Sequence, residues 1–102
     1  MPFESAEHMF WWLFVGTKGG KMRIKIVEAL KQSPANKNQL AERLGVNYRT
    51  ISHHLKVLEE NGILVSEGPH YGKVYFLERS FEENFSLFQH VISGELKAGV
   101  KK

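Results

Sequence analysis

One spacing of three residues restricts the fold of this chain more than any other feature. Ala41 is followed four positions later by Gly45, and six positions after that by Ile51. Two helices can cross at close range where the first carries a small residue, a glycine allows the turn, and an apolar residue of the second fixes the crossing. The spacing therefore predicts a helix-turn-helix over residues 36–61.

Residues with capping preferences mark the ends of both helices. Asn36 and Gln39 have the spacing of a capping box, and Gly45 suits a helix C-terminus. Asn47 is placed to cap the second helix, which the stop signal Asn61-Gly62 ends. The second helix repeats apolar residues at helical spacing, which predicts a buried stripe of Tyr48, Ile51, Leu55 and Leu58.

Helices are also predicted before this motif. Ser5 can cap a helix that runs to about Val15, and the glycine-rich stretch 16–20 breaks it. A second helix is predicted from Lys21 to Gln32, with Pro34 beyond its end. We therefore assign residues 5–32 to N-terminal helices.

After the motif, the pattern changes from helical to extended. Residues 63–67 and 73–79 are β-type runs joined by the turn "GPHYG", which predicts a hairpin over 63–79. Ser80 with Glu83 has capping-box spacing and predicts a last helix over residues 80–93, whose apolar face is Phe81, Phe85, Phe88 and Ile92. A chain of 102 residues has room for one modest core, so we predict a single domain over 1–102.

Composition excludes several kinds of chemistry. The chain has no cysteine, and all its acidic residues are glutamate, so thiolate metal sites, cysteine nucleophiles and Ser-His-Asp triads are absent. The apolar run Met9 to Val15 is too short to span a membrane, and Glu4 and Glu7 precede it where a secretory signal needs Lys or Arg. We predict a cytoplasmic protein without enzymatic activity, cofactor or membrane association.

Positive charge is concentrated in one part of the chain. Between Lys18 and Lys56 there are nine Lys or Arg residues against Glu28 and Glu42, a local balance of +7, although the net charge of the whole chain is only +3. A basic segment of this kind favours binding to a polyanion.

Helix geometry separates the adjacent histidines His53 and His54. At about 100° per residue, His53 lies almost opposite the apolar stripe and His54 lies at its border. Side chains at i and i+1 cannot jointly chelate an ion, so we predict no metal site here and assign His54 to packing.

The face of this helix that carries His53 suits a DNA major groove. It also carries Arg49 and Lys56, with Thr50 and Ser52 beside them, and no acidic residue before Glu59. A helix fits the major groove in width, and arginine can bind guanine in bidentate fashion. A solvated surface with mixed charges is the alternative, but such faces usually alternate Glu with Lys.

The segment "QLAERLGVNYRTISHHLKVLEENGIL" (39–64) resembles the ArsR-type transcription regulators, most specifically in the run from Ser52 to Leu58 and in Gly62. The resemblance covers residues 36–79. It implies a mainly α fold with a β-hairpin wing (α+β), a winged helix-turn-helix, in a homodimer that binds double-stranded DNA, with a palindromic operator expected. The segment 10–21 is also similar to archaeal-type members of unassigned role.

The same resemblance implies roles for individual residues. Tyr48, Arg49, Ser52 and His53 would read bases, while Thr50 and Lys56 would hold phosphates. The wing would contact the DNA backbone or minor groove through its tip, residues 68–73. The second helix of the motif, residues 48–60, would be the recognition helix. The expected DNA contacts outside this helix are Lys37, Asn38, His70, Tyr71 and Lys73. Metal-sensing members often carry cysteines or histidine-acid clusters, which this chain lacks.

Aromatic residues on the terminal helices favour a dimer. They exceed what a core of this size is expected to absorb, and a twofold dimer would bury them while placing two recognition helices about 34 Å apart. The predicted interface is Phe10, Trp11, Phe14, Phe81, Phe85, Phe88 and Ile92. The alternative function is a protein-protein interaction module that docks through the aromatic N-terminal helix.

Overall fold

A short sheet lies against a set of helices in the computed structural model, which describes residues 5–94. In these residues the elements follow in the order α1 (Ala6–Phe14), α2 (Gly20–Gln32), β1 (Ala35–Asn36), α3 (Lys37–Leu44), α4 (Tyr48–Glu60), β2 (Leu64–Glu67), β3 (Val74–Leu77), α5 (Arg79–Glu83) and α6 (Phe85–Ser93). The predicted mainly α fold with a β-hairpin is confirmed. Residues 1–4 and 95–102 of the predicted domain lie outside the described range.

Local capping interactions set the helix boundaries in the first half of the chain. The Ser5 hydroxyl accepts a hydrogen bond from the amide of His8 at 3.1 Å, so α1 starts where the sequence predicts. The capping box at α3 is complete, with Asn36 and Gln39 exchanging hydrogen bonds of 2.8 and 2.9 Å. The Asn47 side chain accepts from the amide of Thr50 at 2.8 Å and caps α4.

The turn between α3 and α4 depends on Gly45. Its φ of 65° and ψ of 36° place it in the left-handed region, which glycine adopts without a steric cost. The amide of the next residue, Val46, donates to the carbonyl of Ala41 at 3.0 Å. The predicted helix-turn-helix is therefore present.

The sheet has three antiparallel strands in the order β1-β3-β2, one more than the sequence analysis predicts. Leu64 pairs with Leu77 in the predicted hairpin, and Ala35 pairs with Tyr75 at the other edge of β3. β1 has only two residues, so its sequence shows no strand periodicity. It joins the start of α3 to the hairpin.

The predicted last helix over 80–93 is wrong in its start and in its continuity. The N-cap is Glu78, whose carboxylate accepts from the Ser80 hydroxyl at 2.6 Å and from the Ser80 amide at 2.8 Å. These two hydrogen bonds hold the pKa of the Glu78 carboxyl below its ordinary value. The helix is then interrupted at Asn84, so α5 and α6 are separate elements.

The core absorbs more of the aromatic residues than the sequence analysis expects. Phe10, Phe14, Phe81 and Phe88, here called the phenylalanine cluster, are all buried within the chain. The rings of Phe14 and Phe88 pack edge to face with centroids 4.7 Å apart, and those of Phe10 and Phe81 with centroids 5.4 Å apart. The cluster fastens α1 to α5 and α6, so these four rings are satisfied without a second subunit.

Candidate nucleic-acid interface

The α4 helix turns its apolar stripe inward and its basic face outward. Ile51, Leu55 and Leu58 are fully buried in the core. Arg49, His53 and Lys56 are exposed on the opposite side, and Thr50 and Ser52 are partly exposed. All five predicted contacts of this face are therefore accessible to a partner.

Tyr48 does not belong to the buried stripe in which the sequence analysis places it. Its side chain is 50% exposed. The ammonium group of Lys37 lies 5.7 Å from the centroid of the Tyr48 ring, within the range of a cation-π interaction. Tyr48 therefore stands at the surface beside the start of α3.

A small polar cleft joins three of the elements that carry predicted contacts. It has a volume of about 80 Å³ and lies between the start of α3, the start of α4 and the wing. Five predicted residues line it, namely Lys37, Asn38, Tyr48, His70 and Lys73. The cleft carries three potential cations and no acid, so it suits a phosphate or another anion.

Two residues of this cleft are missed by the sequence analysis. Asn36 and Tyr75 line it because β1 pairs with β3 and brings both residues to its floor. Burial, together with the charges of Glu59 and Tyr48, raises the pKa of the Tyr75 phenol, which keeps it in its protonated form. The position of these two residues in the cleft has no local signal in the sequence, since the strand pairing joins segments about forty positions apart.

The wing presents its tip to solvent. Tyr71 is 82% exposed and His70 is also exposed, while Lys73 is partly covered. Gly68 begins the turn with a φ of 111°, a backbone conformation that residues with a side chain rarely adopt. The Glu59 carboxylate of α4 accepts from the Ser66 hydroxyl of β2 at 2.8 Å, which ties the wing to the end of α4.

The basic segment identified in the sequence does not form one surface. Arg23 is only 5% exposed, and the Lys31 ammonium lies 4.0 Å from the Glu82 carboxylate. Arg49 and Lys56 lie on the outward face of α4, and Lys37 and Lys73 lie in the cleft next to it. Position in the fold therefore selects which charges can act together.

The two adjacent histidines have different environments, as their helix positions predict. His54 is 8% exposed, and its Nδ1 accepts a hydrogen bond from Nη1 of Arg23 at 3.2 Å. Burial, followed by the charges of Arg23 and His53, lowers the pKa of His54 below its ordinary value. Within residues 5–94, no three His or Glu side chains are grouped so as to hold a metal ion.

The seven predicted interface residues divide into two sets. The phenylalanine cluster lies in the chain's own core, and the residues with accessible surface are Trp11, Phe85 and Ile92.

None of the helices in the described part of the chain is long and apolar enough to cross a bilayer.

A helix-turn-helix followed by a hairpin packed beside its second helix is the architecture of a winged helix-turn-helix, a class of DNA-binding domain. Residues 20–66 match the family model described as "Bacterial regulatory protein, arsR family". The matched segment contains α2, α3 and α4, and the match confirms the resemblance to the ArsR-type regulators. The family comprises DNA-binding transcription regulators and is not a class of enzymes.

The similarity in fold extends beyond the matched segment. Among 11 significantly similar chains of solved structures is the solution NMR structure of the homodimeric winged helix-turn-helix DNA-binding domain of a possible ArsR-family transcriptional regulator from Mycobacterium bovis. It shares 19% identity over 94% of each chain, with a TM-score of 0.68. No curated protein is significantly similar in sequence. The archaeal-type likeness of residues 10–21 has no support in these matches.

Proposed function

We propose that this protein is a transcription regulator that binds specific double-stranded DNA sequences as a homodimer. In this proposal α4 enters the major groove and the wing, residues 68–73, lies on the backbone or in the minor groove. The observation that carries it is the placement of the exposed face of α4 next to a cleft lined by Lys37, His70 and Lys73. The groups proposed to read bases, on α4, and those proposed to bind phosphates, in the cleft, thus lie on one side of the molecule.

The base contacts are assigned to the first turns of α4. Arg49 can offer two parallel N–H donors to guanine, and His53 lies one turn further along the same exposed face. Ser52 supplies a hydroxyl that can donate or accept, and Tyr48 projects from the first turn. These four side chains would specify the sequence.

The phosphate contacts are assigned to groups next to the base-reading side chains. Thr50 and Lys56 lie beside them on α4, and Lys37 and Asn38 lie in the first turn of α3, where the backbone N–H groups also favour an anion. His70, Tyr71 and Lys73 would place the wing on the adjacent backbone. Such contacts fix the orientation of the protein and supply most of the salt-dependent affinity.

The dimer is assigned to the outer surfaces of the terminal helices. The structurally similar mycobacterial domain is homodimeric, and α1 and α6 of this chain pack against each other. Trp11, Phe85 and Ile92 retain accessible apolar surface there. A twofold arrangement would present two copies of α4 to a palindromic site.

A second candidate function has one observation in its favour. Trp11 and Trp12 are 38% and 40% exposed on α1, which is unusual for side chains of this size. They could form a docking surface for another protein, as in an interaction module. In that case DNA affinity would be weak and would not depend on sequence.

The deciding experiment is selection of bound duplexes from a random pool by the full chain, followed by affinity measurements at several salt concentrations. The proposal expects an enriched motif with twofold symmetry and affinity that falls steeply with salt. The control is an unselected duplex of equal length. Equal affinities for both duplexes would contradict specific binding and favour the interaction module.

A further inference from the structure

Arg23 places a buried positive charge behind α4. The guanidinium of Arg23 donates to the Leu13 carbonyl at 2.8 Å, to the Thr17 hydroxyl at 2.7 Å and to Nδ1 of His54 at 3.2 Å. All three acceptors are neutral, and no carboxylate of residues 5–94 forms an ion pair with it. Buried charges in proteins are usually paired with an opposite charge, so an anion that reached this guanidinium would bind favourably.

This guanidinium reaches the wall of an open cavity of about 560 Å³. The cavity lies between the α1–α2 turn and α4, and its size is within the range of small-molecule sites. Its lining contains basic and neutral groups but no glutamate: Trp12, Thr17, Lys18, Gly19, Arg23, His53, His54 and Val57. The cavity therefore favours a negatively charged occupant.

The backbone keeps the charged wall of the cavity open. A Cβ at Gly19 would lie 2.9 Å from Nη1 of Arg23 and 2.6 Å from Cε1 of His54, so a side chain there would crowd both groups. Gly19 is also the N-cap of α2 and provides no capping side chain, so the positive end of this 13-residue helix lies at the same wall.

Two apolar side chains also line the cavity. Trp12 on α1 is 40% exposed, and Val57 lies on α4 one turn after His53. Thr17 is already engaged, because its hydroxyl donates to the Trp12 carbonyl at 3.0 Å while accepting from Arg23. Because cationic and aromatic side chains both line the cavity, it suits an amphipathic ligand with an anionic group and an apolar part.

We propose that this cavity binds a small aromatic carboxylate. Its carboxylate would meet Arg23 and the exposed ammonium of Lys18, and its ring would contact Trp12 and Val57. A planar carboxylate matches the geometry of the guanidinium, and such charge-assisted hydrogen bonds are the strongest polar contacts available here.

Binding at this site would act on the recognition helix directly. His53 lines the cavity and also belongs to the outward face of α4, so a negative charge beside it would oppose the approach of DNA phosphates. This consequence rests on the proposed function, but carboxylate binding itself does not. The test is therefore made without DNA, so that its result does not depend on DNA binding.

Benzoate is titrated into the full chain while the imidazole signal of His54 and the indole signal of Trp12 are followed by NMR. The signals are assigned with the variants H54N and W12F. Both signals should shift and saturate together. Lys18→Gln should weaken benzoate binding about tenfold, because one charge-assisted contact is lost. Lys18 is exposed, so its substitution leaves the packing of the core unchanged.

The matched control is Lys21→Gln, which removes an exposed lysine three positions away that does not line the cavity. Its benzoate affinity should equal that of the parent. The proposal is overturned if neither signal saturates, or if K18Q and K21Q bind benzoate equally. It is also overturned if inorganic phosphate binds as tightly as benzoate, since the aromatic wall would then contribute nothing.

Discussion

The Nη1 atom of Arg23 lies 3.2 Å from Nδ1 of His54, although the two residues are 31 positions apart. Arginine can only donate, so Nδ1 must accept and His54 is the neutral tautomer with its proton on Nε2. The contact joins α2 to the middle of α4. It therefore helps to fix the angle at which the outward face of α4 is presented.

The first prediction is that stability falls in mildly acidic solution because of His54. Its folded pKa lies below its ordinary value of 6.5, so in the unfolded chain this histidine gains a proton first as the pH decreases. This difference in proton binding does not change the free energy of unfolding above pH 6.5, and it lowers that free energy increasingly as the pH falls below 6.5. One such group changes the free energy of unfolding by at most about 1.4 kcal/mol per pH unit.

Urea unfolding at several values between pH 8 and pH 5 measures this dependence. His54→Asn can retain a hydrogen-bond acceptor for Arg23 but does not titrate, so the decline in stability below pH 6.5 should be smaller than in the parent. His70→Gln changes an exposed wing histidine and should keep the parental profile. Identical profiles for the parent and H54N would exclude His54 as the cause.

The second prediction concerns the turn that holds the two helices of the motif. Gly45 has a φ of 65°, and a Cβ built on it would meet no atom within 4 Å. Gly45→Ala should therefore destabilise the fold through the backbone alone, by about 1–2 kcal/mol. Gly45→Asn should cost less, because asparagine tolerates the left-handed region. Urea midpoints at an unchanged m-value measure both, and equal stability of G45A and the parent would contradict the argument.

The features that could be predicted from sequence are those set by neighbouring residues. The caps at Ser5, Asn36 and Asn47, and the glycine turn at Gly45, use groups within a few positions of one another. The exposure of Arg49 and the burial of His54 follow from the 3.6-residue period of one helix. Local geometry was therefore sufficient for the motif and for the accessible face of α4.

The features that were missed depend on contacts between distant segments. β1 exists only because β3 pairs with it, and the buried Arg23 is stabilised by the carbonyl of Leu13 and by His54. The sequence analysis places the phenylalanine cluster at the dimer interface, because the number of rings that a core can bury does not follow from composition. The sequence analysis starts the last helix at Ser80, whereas the N-cap in the structure is Glu78, which binds the Ser80 amide and hydroxyl.

The third prediction is that Arg49 contributes to sequence recognition. Arg49→Ala should weaken binding to the selected duplex by about 1–3 kcal/mol and should reduce discrimination at one base pair, because a bidentate contact is lost. Competition binding with single-base variants of the duplex measures both effects. Arg79→Ala removes an exposed arginine of α5 and should leave affinity and specificity unchanged. If R49A and R79A behave alike, Arg49 does not read a base.

The fourth prediction separates phosphate contacts from base contacts. Lys73 belongs to the wing and lines the cleft, so Lys73→Ala should weaken binding to all duplexes by the same factor. The slope of log affinity against log salt should fall in magnitude by about one, since one fewer counterion is released. Lys25→Ala, an exposed lysine of α2, is the control and should keep the parental slope. A loss of affinity in K73A confined to the selected sequence would instead assign Lys73 to base recognition.

The last prediction tests the dimer through a surface that the core does not use. Ile92 is partly exposed on α6, whereas Phe88, one turn earlier, is fully buried. A glutamate at position 92 would place two equivalent charges near the twofold axis of the proposed interface, which should shift the protein to monomer without unfolding it. Light scattering after size exclusion measures the mass, and circular dichroism checks the fold. Val65→Glu makes the same change at an exposed apolar residue of the wing, so it should remain dimeric. A dimeric I92E would remove α6 from the interface, and a monomeric parent would contradict the dimer altogether.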